Sequence, residues 1–368
     1  MLLHGIFPPI TTPFYSDGNV YFKKLEANVE HYSKTPVAGI VVLGSTGEAV
    51  MLSDQERRDV LKVAREACTP NKVLVAGTGA ESAIETLKLT EYAAELEYDV
   101  AMVRTPHYFK KQMQPANVLA FYRFVADRSP LPVIIYNFPQ CTAYDIPAEV
   151  VIELADHPNL IGIKESSGDV EKVRKMVEGS RHVKRCATVT QAFDAITPRM
   201  LKRSVGNGGE LVSIAALAGP SMKEGRPRQS NGTGGPVSPL SSVVSVIEGL
   251  KTRQKEVGFQ VLVGAAHKLQ DSLDAGAVGG ILAFACAAPT ACYEIYTAWK
   301  EGDHELTNSK QERISAAARG VVGEFGVSGV KYAMDFNGYY GGPARLPLLP
   351  LTAEMKDKVE KLMSATRN

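Results

Sequence analysis

Eight short runs of apolar, β-branched residues recur along the chain, most of them followed by a stretch with helical spacing of its apolar positions. This alternation limits the fold more than any other feature. The runs are Gly5–Thr12, Gly39–Gly44, Val73–Gly77, Val100–Arg104, Val133–Asn137, Leu160–Lys164, Phe259–Gly264 and Val278–Phe284. Between them lie helix-like stretches such as Ser53–Cys68, Ser82–Leu96, Pro115–Asp127 and Pro147–Ala155. Ser53 with Glu56 three residues on has the form of a capping box, which satisfies free amides at a helix start. Strands that are apolar throughout leave no face for water, so they suit a parallel sheet covered by helices. Eight such units in succession predict an α/β chain folded as a closed (β/α)₈ barrel, of the TIM type, over an open doubly wound sheet.

The spacing fails once. Nearly a hundred residues separate the sixth run from the seventh, and a helix over Val170–Gly179 accounts only for the first part. An insertion between strands 6 and 7, at about 185–258, interrupts a barrel that occupies 1–301. Within it Gly225–Pro239 is of low complexity and reads as a solvated loop, with Arg226 and Arg228 free to contact something else. Helical spacing over Glu312–Phe325, Val327–Phe336 and Thr352–Met363 makes 302–368 a C-terminal helical appendage.

Composition removes several classes of function. Lys and Arg total 41 against 40 Asp and Glu, so the chain has no electrostatic footprint for nucleic acid or an anionic membrane. Cys68, Cys141, Cys186, Cys286 and Cys292 are odd in number and form no C-x-x-C pair, which reads as reduced thiols in a cytoplasmic protein. The opening residues lack a basic region followed by a long apolar one, so no signal peptide is expected. The uncharged run Ala275–Tyr293 contains Gly276, Gly279, Gly280 and Pro289 and reads as strand, loop and helix start, not as a membrane span. Among the seven histidines no pair has metal-ligand spacing, and no metal is expected.

Lys164 closes the apolar strand Leu160–Lys164. In a barrel of this kind, residues at the carboxyl ends of strands face the active site. Low-dielectric walls there disfavour an ammonium ion and leave a neutral amine that can attack a carbonyl. Tyr136 closes the preceding strand at the same rim, where a phenol can relay protons. Gly44-Ser45-Thr46-Gly47-Glu48 follows the second strand, and a sharp glycine turn exposes amides that can cradle a carboxylate or phosphate. That turn lacks the spacing and the Lys-Ser/Thr ending of a P-loop, and Gly77-Thr78-Gly79 lacks the third glycine of a dinucleotide fingerprint. The residue pattern alone leaves other readings open: Lys164 as a surface lysine just past a strand, Tyr136 as a packing tyrosine, and the glycine segment as a plain turn.

Three segments, Gly44–Glu48, Tyr136-Asn137-Phe138-Pro139 and Gly162–Ser166, resemble the dihydrodipicolinate synthase/N-acetylneuraminate lyase family. Pro8–Phe14 resembles that family's opening strand. Phe336–Pro343 resembles its C-terminal region, most closely in 4-hydroxy-2-oxoglutarate aldolases. The resemblance covers nearly the whole chain outside the insertion. It implies a covalent imine at Lys164 and a proton relay through Tyr136, Ser45 and Tyr108, the last supplied across a subunit contact of a homotetramer built as a dimer of dimers. It implies further that the amides of Ser45 and Thr46, with Gly47 completing the turn, hold a 2-keto acid's carboxylate. Ile281 matches a backbone carbonyl near the lysine, and Ser166 matches a serine beside the substrate in the hydroxyoxoglutarate aldolases. No external cofactor is implied, because the protonated imine is itself the electron sink.

Two departures bear on the substrate. Dihydrodipicolinate synthases usually carry an arginine a few residues after the tyrosine, where this chain has Cys141, and the family's paired tyrosines after the fourth strand become His107-Tyr108. Without a guanidinium, a second carboxylate lacks a bidentate partner. The expectation is therefore a class I aldolase-type lyase that cleaves a 4-hydroxy-2-keto acid to pyruvate and an aldehyde such as glyoxylate. Condensation of pyruvate with aspartate semialdehyde and dehydration of a sugar keto acid share the same covalent step. A keto-acid-binding scaffold without catalysis is the non-enzymatic alternative.

Overall fold

The computed structural model describes residues 1–205, 245–247 and 250–366. Eight strands form one parallel sheet: β1 (Gly5–Phe7), β2 (Gly39–Val42), β3 (Val73–Gly77), β4 (Val100–Arg104), β5 (Val133–Asn137), β6 (Leu160–Glu165), β10 (Gln260–Val263) and β11 (Gly279–Ile281). Their order, β1-β11-β10-β6-β5-β4-β3-β2, brings the first two strands together at the seam. There Val41 N donates to Pro8 O at 3.0 Å and Ile10 N to Val41 O at 2.9 Å, closing the barrel. All eight strand positions read from the sequence hold. The first, second, seventh and last are shorter than their apolar runs. Pro8 and Pro9 have no N–H to extend the ladder of β1, so that strand ends at Phe7.

Helices cover the outside: α1 (Phe22–Ser33), α2 (Asp54–Ala67), α3 (Ala83–Glu95), α4 (Pro115–Arg128), the single turn α5 (Pro139–Thr142), α6 (Ala148–Ala155), α7 (Val170–Gly179), α9 (Leu269–Asp274) and α10 (Pro289–Glu301). The capping box exists: Ser53 Oγ accepts from Glu56 N at 3.2 Å and Glu56 Oε2 from Ser53 N at 2.8 Å. Alternate strand residues divide between two cores. Phe7, Val41, Val75, Met102, Ile134, Tyr136 and Leu262 fill the barrel. Ile6, Ile40, Leu74, Val103, Ile135 and Ile163 meet the helices. Each such aliphatic side chain contributes about 1.5–3 kcal/mol of burial. No helix among the described residues is long and apolar enough to cross a membrane.

Strand β6 carries a local irregularity that decides which way Lys164 points. Val133 of β5 pairs with Leu160, but the next residue, Ile134, pairs with Gly162, so Ile161 is an extra residue on β6. Without it, alternation would place Lys164 on the same side as Leu160, against the helices. The bulge reverses the phase, and Lys164 aligns with Tyr136 on β5 and Leu262 on β10, both facing the barrel interior. Gly162 is required beside the bulge, because a Cβ there would stand 2.2 Å from the carbonyl oxygen of Gln260. Gly162→Ala is expected to cost about 1–3 kcal/mol in chemical denaturation and to impair Lys164 with it.

The C-terminal region is helical, with boundaries that differ from the sequence reading. In place of a start at Glu312, α11 runs over His304–Ala318, capped by Asp303, whose Oδ1 accepts from Leu306 N at 2.9 Å. It widens into a π-turn at Arg319–Glu324, then α12 (Gly326–Phe336) and α13 (Ala353–Ser364) follow.

The described ends of the insertion carry regular structure that the sequence reading did not assign. β7 (Cys186–Thr190), β9 (Leu250–Glu256) and β8 (Ser245–Ile247) form a separate antiparallel sheet, and α8 (Pro198–Val205) follows β7. The stretch Gly225–Pro239, with Arg226 and Arg228, lies outside the described residues. A segment between a helix and the next barrel strand must emerge at the amino-terminal ends of the strands, opposite the rim that bears Lys164. Its anchors lie there. Arg185 donates to Leu160 O, Ala155 O and His157 O at 2.7 Å each, and Arg199 forms a fully buried pair with Asp99 at 2.8 Å.

Candidate active site at the carboxyl rim

Lys164 is 4% exposed and lines a cavity of about 540 Å³ at the rim. Its Nζ lies 4.1 Å from the centre of the Tyr136 ring and makes no hydrogen bond or ion pair with any described residue. Burial lowers its pKa from 10.5 to about 7, an effect that the nearby thiols of Cys286 and Cys141 only partly oppose. Close to half of the amine is therefore neutral near pH 7.

Tyr136 is 4% exposed, and its hydroxyl is 3.2 Å from Ser45 Oγ. Burial pushes the phenol far above its ordinary value, so it stays protonated and can donate or pass on a proton. The turn after β2 places Thr46 in the Lys164 cavity, and Gly47 closes the turn by donating from its N to Gly44 O at 3.0 Å. The amides of Ser45 and Thr46 donate to no described residue, which leaves the N–H of Thr46 free at this cavity and that of Ser45 free at the one adjoining it. Ser166 and Ile281 line the same cavity, and Ser166 Oγ is buried without a partner. The second glycine that matters is Gly264, where a Cβ would meet Ser166 Oγ at 2.1 Å.

Tyr108 stands apart from Lys164. It is 76% exposed and lines an adjoining cavity of about 320 Å³, which also includes Ser45 and Tyr136. Its backbone is fixed even so. Glu81 Oε2 accepts from His107 N at 2.9 Å and Tyr108 N at 3.0 Å, and Glu81 Oε1 accepts from Arg104 at 2.8 Å.

The sequence reading missed several supports. Glu165, the neighbour of Lys164, points outward and is buried; it accepts from Asn137 Nδ2 at 2.9 Å and Ser167 N at 2.6 Å. This ties the ends of β5 and β6 together. Arg319, Val322 and Gly323 of the π-turn wall the cavity, so the C-terminal helices complete the site. Lys331 of α12 forms a buried pair with Glu48 at 2.5 Å and donates to Thr12 O at 2.9 Å, while Thr12 Oγ1 donates to Gly47 O at 2.7 Å. Arg345 N donates to Glu48 Oε2 at 2.7 Å, and its guanidinium pairs with Glu56 at 2.6 Å. The only sequence signal for this clamp is a lone lysine on the apolar face Val330–Met334.

A buried amine near neutrality, a phenol–hydroxyl pair and free amides around two adjoining cavities that share Tyr136 can form an imine with a carbonyl compound that bears a carboxylate. Known proteins of one family are similar to this chain. The profile of the dihydrodipicolinate synthetase family matches residues 2–234 and 241–366. A 4-hydroxy-tetrahydrodipicolinate synthase of Methanosarcina barkeri is 35% identical over 215 residues, covering 58% of this chain and 71% of that protein. Another, of Methanothrix thermoacetophila, is 26% identical over 363 residues, covering 99% of this chain and 97% of its own. The solved structure of YagE, an E. coli K12 prophage protein of the dihydrodipicolinic acid synthase family in complex with pyruvate, superposes with a TM-score of 0.74. It is 24% identical and covers 100% of this chain and 99% of that one, a likeness of fold.

Proposed function

Because this chain belongs to the dihydrodipicolinate synthetase family, we propose that the amine of Lys164 attacks C2 of pyruvate and forms an imine. Members of the family are class I aldolase-type lyases, and this chain is one. They work through a lysine imine with pyruvate and need no external cofactor. The observation that carries the assignment to Lys164 is its buried Nζ, 4.1 Å from the ring of a tyrosine that bonds Ser45.

The neutral amine adds to the carbonyl carbon, and the carbinolamine loses water to leave a protonated imine. Loss of a proton from C3 gives an enamine, which attacks an aldehyde carbon; the reverse breaks the same carbon–carbon bond. Tyr136 and Ser45 deliver and remove the protons, and the amides of Ser45 and Thr46 hold the carboxylate. Tyr136→Phe removes the relay and is expected to lower kcat by about 10²–10⁴-fold, with a smaller change in KM for pyruvate, in steady-state kinetics. Since Lys164 titrates at about 7 and only the free amine attacks, kcat/KM for pyruvate is expected to fall about tenfold per pH unit below that point and to level off above it.

Relatives named 4-hydroxy-tetrahydrodipicolinate synthase favour condensation of pyruvate with aspartate semialdehyde, in place of the 4-hydroxy-2-oxoglutarate cleavage expected from the sequence. A second reading retains that cleavage, because the exposed Cys141 stands where the synthases usually carry an arginine, and Ser166 offers a free hydroxyl. Assaying both reactions on one preparation separates them. Condensation at the higher kcat/KM is expected, and cleavage at the higher kcat/KM would replace the first reading by the second.

We further read the protein as a cytoplasmic homotetramer, with the exposed Tyr108 and Phe109 reaching a neighbouring subunit, and take 302–368 as an appendage to the barrel.

A further inference from the structure

On the face opposite Lys164, where β1, β2 and β3 begin, lies a cavity of about 590 Å³. The barrel supplies one wall with His4, Tyr296 and Lys300, and the insertion supplies the other with Phe193 and Lys255. Its size is that of a small-molecule site.

Two lysines, Lys255 and Lys300, line it without a carboxylate partner among the described residues. Lys255 Nζ stands 3.3 Å from His4 Nδ1, and neither Lys255 nor Lys300 forms an ion pair with any described residue. Burial, followed by the charges of Lys255 and Lys300, lowers the pKa of His4 to about 4, so the ring is neutral. A neutral imidazole that accepts at Nδ1 carries its hydrogen on Nε2, and that atom is buried without a partner. Lys72, also in the lining, gives two of its three N–H groups to Thr35 O at 2.7 Å and Val37 O at 2.8 Å. The acidic groups of the lining, Asp194 and Glu301, are exposed and pair with neither free lysine. Phe193 keeps a left-handed backbone, φ 66°, with the guanidinium of Arg253 3.5 Å and the ammonium of Lys255 5.5 Å from its ring centre. A strained aromatic beside unpaired cations gives the cavity an apolar side next to a cationic one.

We infer that the insertion completes a second binding site, for a small organic carboxylate, whose anion lies between Lys255 and Lys300 and whose apolar body lies against Phe193 and Tyr296. The site is separate from the imine chemistry and does not depend on it. A bare phosphate offers the same oxyanion without a body to cover the aromatic wall.

Titration calorimetry of the full chain carrying Lys164→Ala, with benzoate and with inorganic phosphate as probes, tests the site. One-to-one saturable binding of benzoate, tighter than that of phosphate, is expected. Lys255→Gln with Lys300→Gln should weaken it at least about tenfold. Lys300→Glu, at an exposed position outside the small sheet, should weaken it too and guards against a folding defect in the double variant. Absence of saturable heat from both probes, phosphate binding more tightly than benzoate, or an affinity that survives the lysine substitutions would overturn the inference.

Discussion

Replacing Lys164 with methionine is expected to abolish turnover and to make the protein more stable. The two effects share one cause. Lys164 titrates at about 7 in the folded chain against 10.5 for an exposed lysine. Between these values the unfolded chain binds a proton that the folded chain does not, so stability rises with pH across that window. The cost of burying the amine is therefore fully present below about pH 7 and gone above about 10.5. At neutral pH it is on the order of 4 kcal/mol, which an apolar side chain of similar length does not incur. Denaturant titration should show Lys164→Met more stable than the wild type at pH 7, with the gap closing toward pH 10.5. With no nucleophile, turnover should drop by about 10⁴-fold or more. A variant that lost activity and stability together would point to a structural lysine.

Lys331→Met should do the opposite to stability. Its ammonium is 1% exposed and faces a Glu48 side chain that is 0% exposed. Removing it leaves a carboxylate buried without its counter-charge, at a cost of about 3–5 kcal/mol. The loss reaches the site because Glu48 ends the turn that carries Ser45 and Thr46. KM for pyruvate is expected to rise more than kcat falls. Pairing it with Glu48→Gln removes the stranded charge and should recover part of the stability, and a double-mutant cycle measures how much. An additive double variant would show that the pair is not coupled.

The barrel was legible because each strand is apolar on both faces, a pattern that survives without knowledge of its neighbours. The orientation of Lys164 was not. Read as plain alternation, Leu160-Ile161-Gly162-Ile163-Lys164 puts the lysine on the helix side, and the bulge that turns it inward exists only as a mismatch against β5. The small sheet of the insertion was hidden for a different reason. Its strand Leu250–Glu256 is mostly polar and charged, since it lies over the barrel end and not within it. Lys164, Tyr136, Ser45, Thr46, Ser166 and Ile281 lie around adjoining cavities, as strand ends of one rim must. The clamp on Glu48 escaped because its partner, Lys331, lies 283 residues along the chain in a helix whose apolar spacing gave no sign of an ion pair.

Reduction of the protein with borohydride in the presence of pyruvate, followed by peptide mass analysis, tests the central claim most directly. A single reduced pyruvate adduct on the peptide that contains Lys164, absent from Lys164→Met, is the predicted result. An unlabelled protein, or an adduct on another lysine such as Lys331, would contradict the account.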